Sequence, residues 1–245
     1  MSNRSVLILG IKSDIALAVA YRFAQAGYNL QLAGRNLDSI NNVVADIELR
    51  YQLTVTTHEL DILEVNNYET FIKSLPQLPD VAICSVGLLG EQSESEYDIR
   101  AATLTIRSNF EGPANLMGAI ANEFKKRQSG CLVGISSVAG ERGRSTNYVY
   151  GSAKAGFTAY LSGLRNRMHP YGVGVVTVLP GFVQTKMTRH LKLPRFLTAS
   201  PQHVANDIFC AVQKKKDRVY SYRIWRLVIL AVRLIPEPIF KRMKL

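Results

Sequence analysis

Cysteine is scarce. The three that occur, Cys84, Cys131 and Cys210, have neither CxxC spacing nor histidines close by, which excludes a zinc ribbon or a disulfide framework and leaves reduced, buried small side chains as the expectation. Long apolar runs are also missing. The most apolar stretch, Ile224 to Ile235, is 12 residues, about 18 Å as a helix against a hydrocarbon core of about 30 Å, so no membrane span is expected. Gly/Ser, Pro-rich and Gln/Asn tracts are absent, as is any repeat at solenoid periods, which removes disordered and solenoid classes. The opening MSNRSVLILG has no long apolar segment before a strand pattern begins, so a cytoplasmic rather than secreted chain is expected. What is present is 245 residues with an apolar fraction of 47%, enough for one large α/β core.

Charge is unevenly placed. Residues 186–245 hold fourteen Lys/Arg against three Asp/Glu, the whole of the formal net charge of +11, while residues 1–185 hold sixteen of each sign. A neutral body with a basic, apolar tail points to an anionic membrane surface before it points to nucleic acid. No groove-reading motif or aromatic stacking platform supports the latter, and no nucleic-acid partner is expected.

Short β-type runs alternate with helical patterns. The expected strands are 6–10, 29–34, 53–60, 80–86, 130–137 and 172–180, several nearly continuous in Val, Ile and Leu, as strands covered on both faces should be. Between them lie helical segments at 14–26, 36–50, 64–74, about 96–127, 149–168 and 201–215. This alternation predicts an α/β fold: a Rossmann-type, doubly wound parallel sheet with helices on both faces, binding ligands at the carboxyl ends of its strands. Residues 1–220 form the expected dinucleotide-binding and catalytic domain, and 221–245 a basic amphipathic tail.

Strand one runs into LGIKSDIALAVA, where Gly10 suits a tight turn and the following helix presents its N-terminus to a pyrophosphate. Asp14 and Ala16 stand where further glycines would complete the fingerprint, so the turn reads either as a phosphate cradle or as an ordinary capped helix start. Strand two ends in LAGRN. Without a carboxylate to take the adenosine 2′-hydroxyl, Arg35 can grip a 2′-phosphate, with Lys12 adding charge; the alternative is a solvated loop arginine.

In YVYGSAKAGF, Tyr150 and Lys154 stand at i and i+4 on one helix face among small residues that let another surface come close. A free phenol titrates near 10 and is a sluggish acid; a nearby ammonium is expected to lower that value. Ser137, thirteen residues earlier in GISSVAG, ends a strand at the same sheet edge.

YxxxK, the serine thirteen residues before it, the Asn of RSNFEG and the PGFVQT segment together resemble the short-chain dehydrogenase/reductase family over roughly residues 4–220. The resemblance implies an NADP(H)-dependent oxidoreductase in which Tyr150 protonates a carbonyl oxygen, Ser137 orients it, Lys154 binds the nicotinamide ribose and tunes the tyrosine, and Asn109 holds a linking water. It places the cofactor along Gly10, Lys12, Ser13, Asp14 and Ile15, along Arg35 and Asn36, along Asp61 and Ile62, and along Val86 and Gly87. Tyr150, Lys154, Pro180, Gly181, Val183 and Thr185 complete that set. The chain departs from the family's TGxxxGxG, keeping only Gly10 among Leu9, Gly10, Asp14 and Ala16, and from its NNAG, which reads Cys84-Ser85-Val86-Gly87. A non-catalytic NADP(H) sensor or scaffold is the alternative function.

The loop 186–201 mixes Leu, Phe and Met with Arg and Lys, which suits an apolar carbonyl substrate with an anionic group or, equally, a plain basic surface loop. In the tail, Arg223, Arg226 and Arg233 share one side of a helix and leave Trp225, Leu227, Val228, Ala231, Val232 and Ile235 as an apolar remainder, with Pro236 and Pro238 ending it. That pattern describes a helix lying on an anionic membrane or one buried in a subunit interface or against the core. The tail and the degenerate glycine turn also resemble polyprenyl-phosphoryl keto-sugar reductases, which implies a lipid-linked substrate and a peripheral position on the inner membrane face. By the family resemblance, helix 149–168 implies a homodimer or homotetramer.

Overall fold

The computed structural model describes residues 4–189, 191 and 193–243. Six strands fall on the apolar runs: β1 (Ser5–Leu9), β2 (Asn29–Gly34), β3 (Val55–Glu59), β4 (Val81–Cys84), β5 (Cys131–Ile135) and β6 (Gly174–Pro180). Two-residue strands β7 (Phe182–Val183) and β8 (Thr198–Ala199) pair separately, and β9 (Arg218–Ser221) adds an unexpected seventh strand beside β6. The main sheet is parallel throughout in the order β3-β2-β1-β4-β5-β6-β9. Strand order reverses between β1 and β4, and the crevice above their carboxyl ends is where such sheets bind ligands.

Every residue of β1 is buried because helices cover both faces. Helix α1 (Asp14–Ala24) buries Ala16, Val19, Ala20 and Phe23, one stripe at i, i+3, i+4 and i+7, and with α2 (Asn41–Tyr51) it closes one side of the sheet. The other side is closed by α3 (Tyr68–Ser74) and by the region expected to be one helix over 96–127. That region is instead α4 (Gln92–Ser95), α5 (Ile99–Ile106), a π-helical turn over Arg107–Glu111, and α6 (Gly112–Arg127). The break coincides with a tight crossing, since a Cβ on Gly112 would lie 2.3 Å from the Ile62 carbonyl oxygen. Helix α7 (Tyr148–Met168) continues this layer, and α8 (Pro201–Gln213) returns to the α1 side.

The C-terminal segment forms α9 (Ile224–Leu234) and, past Pro236, the short α10 (Glu237–Phe240) where only a break was expected. Trp225 corrects the expected membrane-facing remainder: it is 5% exposed and packs with Ile229 against Val138 and Leu179 of the body. Arg142 fixes the far end of α9, donating to the Val232 and Ile235 carbonyls at 2.5 and 2.7 Å and pairing with Glu237 at 2.9 Å. Those carbonyls are the orphan acceptors of a helix C-terminus, so one guanidinium ties the tail to the loop after β5. Of the cysteines only Cys84 is fully buried; Cys210 is exposed, contrary to expectation, because it lies on the solvent side of α8. His190 and Lys192 of the loop, and Lys244 and Leu245 at the chain end, lie outside the described residues.

Candidate active site

Ser136 and Ser137 leave β5 side by side but do different work. The Ser136 hydroxyl donates to the Lys154 carbonyl at 2.9 Å and shares a 2.7 Å bond with Thr158, which locks the strand end onto α7. Ser137 accepts from the Ala139 amide at 3.1 Å, and its hydroxyl faces the Tyr150 phenol and favours its ionised form. The nearby Tyr148 is 46% exposed, whereas Tyr150 is half-buried beside Ser137. The structure therefore brings Ser137 and Tyr150 together, with Lys154 one turn further along the same face.

The small residues around Tyr150 are used by the chain itself. A Cβ on Gly151 would come 2.9 Å from the Ala139 carbonyl oxygen, and one on Gly140 would come 2.6 Å from the Ala155 nitrogen. The turn Val138–Glu141 thus lies directly on α7, which fixes Ser137 against Tyr150.

Protonation departs from the sequence expectation. Burial pushes the Tyr150 phenol up to about 12, and the Ser137 hydroxyl only partly offsets this. Burial likewise brings the Lys154 ammonium down to about 8, with Cys84 opposing. The ammonium does not make the phenol acidic here: its Nζ donates to the Ile135 carbonyl at 3.1 Å and stands 5.8 Å from the Tyr150 ring centre. Desolvation of the charged form is the main cause of each shift. At neutral pH the pair is a neutral phenol and a charged amine.

That buried amine burdens the fold. A fall from 10.5 to about 8 corresponds to roughly 3 kcal/mol against the folded state wherever the amine is charged in both states. The penalty is full below about pH 8 and disappears as pH rises past the unfolded value of 10.5. Lys154→Met should therefore raise the melting temperature by several degrees at pH 7 and by almost nothing near pH 11, while losing activity. Calorimetry at both pH values checks this.

Asn109 is fully buried in the π-helical turn. Its amide donates to the carbonyls of Leu88 at 2.6 Å and Thr105 at 2.8 Å, and its oxygen accepts from the Leu88 amide at 3.2 Å. It pins the exit of β4, where a Cβ on Gly87 would lie 3.0 Å from Asn109 Oδ1 and 3.4 Å from Lys154 Nζ.

Gly87 is also a wall of a cavity of about 930 Å³ over the β1–β4 crevice. The first turn contributes Gly10, Lys12, Ser13, Asp14 and Ile15, and the end of β2 contributes Arg35 and Asn36. Asp61, Ile62, Val86 and Thr185 also line it. Lys154 stands behind Gly87 and, like Tyr150, Pro180, Gly181 and Val183, lies outside its lining. Gly10 has φ +83° and would place a Cβ 3.0 Å from the Val86 nitrogen, so glycine is required there. Ala16 is fully buried and serves the close helix-on-sheet contact of a later glycine. A floor of glycine and backbone amides at the start of α1, with Lys12 and Arg35 at the rim, fits a dinucleotide carrying phosphate groups.

Two residues missed from the sequence, Lys186 and Glu59, also line this cavity. The Asp14 carboxylate accepts from the Lys186 amide at 2.5 Å, with Lys186 Nζ 3.8 Å away, and so latches the loop after β6 to the first turn. Glu59 accepts from the Asn36 amide at 2.9 Å and holds Asn36 in its left-handed turn. Arg35 pairs loosely with Asp61 at 3.5 Å and remains largely exposed.

The short chain dehydrogenase family model matches residues 4–195. An uncharacterized oxidoreductase of Mycobacterium tuberculosis is 33% identical over 241 residues, covering 97% of this chain and 96% of the relative. Among solved structures, a short-chain dehydrogenase from Sphingobium yanoikuyae in complex with NADPH superposes with a TM-score of 0.83 at 20% identity, covering 96% and 97% of the two chains. One from Burkholderia cenocepacia in complex with NADP gives 0.83 at 18% identity, covering 99% and 98%.

Proposed function

The chain belongs to the short-chain dehydrogenase family, and from that premise we propose that it reduces a ketone or aldehyde with NADPH, Tyr150 acting as the proton donor. The observation that carries the proposal is the neutral Tyr150 phenol beside the Ser137 hydroxyl, with the Lys154 amine behind Gly87, a wall of a dinucleotide-sized cavity. NADPH supplies the hydride when bound. Ser137 donates a hydrogen bond to the substrate oxygen and holds it at Tyr150. As negative charge develops on that oxygen, Tyr150 gives up its proton, because an alkoxide is a far stronger base than a phenolate. A phenol raised to about 12 is protonated at neutral pH, the form that can donate. Lys154 holds a positive charge behind the tyrosine and binds the nicotinamide ribose.

NADPH is preferred to NADH because β2 is followed by Arg35 and Asn36 rather than a carboxylate, with Lys12 on the same cavity. The solved relatives bound to NADPH and NADP support the same choice. Arg35→Asp should lower the preference for NADPH over NADH by roughly a hundredfold, the range expected when a charged phosphate contact is replaced by repulsion. Kinetics with both cofactors tests this; an unchanged ratio would place the 2′-phosphate elsewhere.

The substrate is a hydrophobic or lipid-attached carbonyl, of which a polyprenyl-linked keto-sugar is one form. Its support is the loop after β6, where Met187 and Phe196 are exposed beside Arg189 and Arg195. Turnover of NADPH against short soluble carbonyls and prenyl-linked keto-sugars tests the class. A homodimer or homotetramer through α7 belongs to this reading, supported by the small outward residues Ser152, Ala159, Ser162 and Gly163. So does a cytoplasmic enzyme whose basic tail meets an anionic membrane; no described helix is long and apolar enough to cross one.

A further inference from the structure

We infer that the outward row of α9, with the exposed Phe196 of the loop it braces, is a docking surface for an anionic lipid bilayer. The surface stands on burial and charge and does not rest on the reductase reading.

Helix α9 is apolar on two opposite sides, and the fold uses one. Trp225 and Ile229, four apart, face the body. Leu227, Leu230 and Leu234 face away and are 67%, 56% and 73% exposed. A helix resting on a soluble body ordinarily turns polar side chains outward, so three leucines there require an apolar partner. The charges around them identify it. Arg223, Arg226, Lys241 and Arg242 are exposed and form no ion pair among the described residues. The three acidic residues of the last sixty are engaged elsewhere: Asp207 with Ser221 and His203, Asp217 with Arg165, and Glu237 with Arg142. This leaves uncompensated cations on α9 and just past its C-terminal end, which with the leucine row is the chemistry of a helix lying in the headgroup region of an acidic membrane.

A second copy of the chain fits less well. A two-fold contact through this face would set the same four cations against one another. Insertion across the membrane is ruled out by length and by Arg142, which clamps the last carbonyls of α9 to the body. The helix is therefore held in a fixed pose with its leucines outward. The loop after β6 is tied to it, since Trp225 Nε1 donates to the Leu197 carbonyl at 3.0 Å. The neighbouring Phe196 is 68% exposed. Phe196 is thus braced by α9, on the same connection that brings Lys186 and Met187 to the cavity.

The test compares the full-length chain with Leu227→Glu/Leu230→Glu/Leu234→Glu in co-sedimentation with mixed phosphatidylglycerol/phosphatidylcholine vesicles and with phosphatidylcholine alone. The native chain should sediment with the acidic vesicles only, and less at high salt; the variant should lose at least roughly tenfold of that binding. NADPH oxidation with a water-soluble carbonyl should be unchanged in the variant, which establishes that it is folded. No sedimentation of the native chain, or equal sedimentation of the variant, overturns the proposal. So does a native dimer that the variant converts to monomer, which would make this face a subunit contact. A native chain that sediments as expected but reduces no carbonyl supports the surface and overturns the reductase reading alone.

Discussion

Tyr150→Phe should lower NADPH-dependent carbonyl reduction about a thousandfold while leaving NADPH affinity within about twofold, since positioned general acids contribute typically 10²–10⁴-fold. The variant keeps the ring that packs in α7 and deletes only the oxygen that faces Ser137. Neither Ser137 nor Lys154 can replace the donor. A serine hydroxyl is far too weak an acid, and the Lys154 amine is directed at the Ile135 carbonyl. Steady-state kinetics and cofactor fluorescence separate the two effects: a loss confined to turnover is expected, and a parallel loss of NADPH binding would reassign Tyr150 to the cofactor site.

The second large effect is expected far from the acid/base set in sequence. Trp225 is a tail residue, yet its indole touches three segments of the body: the turn after Ser137, the segment after β6 and the loop that follows it. It packs on Val138 next to Ser137, stacks edge-on against Phe182 at 5.0 Å, and holds the Leu197 carbonyl of the loop. Gly181 exists to admit it: a Cβ there would lie 1.9 Å from the indole. Trp225→Ala should destabilise the protein by about 3–5 kcal/mol, the usual result of emptying a buried aromatic site. At temperatures where it stays folded, the variant should also raise KM for the carbonyl substrate. Trp225→Phe should recover most of the stability but not the loop contact, because it lacks the N–H. Thermal unfolding with substrate kinetics on both variants checks the assignment; a Trp225→Ala protein with native KM would confine the indole to packing.

The acid/base set was legible because its geometry is short-range. Four residues on a helix fix Tyr150 and Lys154 on one face whatever surrounds them, and β5 must deliver Ser137 to the sheet edge. What depended on the surroundings was not. The direction of the Tyr150 shift follows from how deeply the fold buries it and from where Lys154 Nζ points, neither of which periodicity reveals. Helix α9 is apolar on opposite sides, so its pattern cannot choose between Trp225 and Leu227 as the inward residue. Strand β9 is four residues at a sheet edge beginning with an exposed arginine, too short and too polar to stand out. The π-helical turn at Arg107–Glu111 reads as ordinary helix, because the sequence RSNFE contains neither glycine nor proline.

The pH dependence of kcat/KM for carbonyl reduction by the native protein tests the central claim, that a neutral phenol backed by a buried ammonium donates the proton. Lys154 titrates near 8 and Tyr150 near 12, so the rate should be level through neutrality and fall as pH rises past about 8, where the amine loses its charge. A rate that instead climbs through this range would mean that the working form of Tyr150 is the phenolate, and would contradict the mechanism.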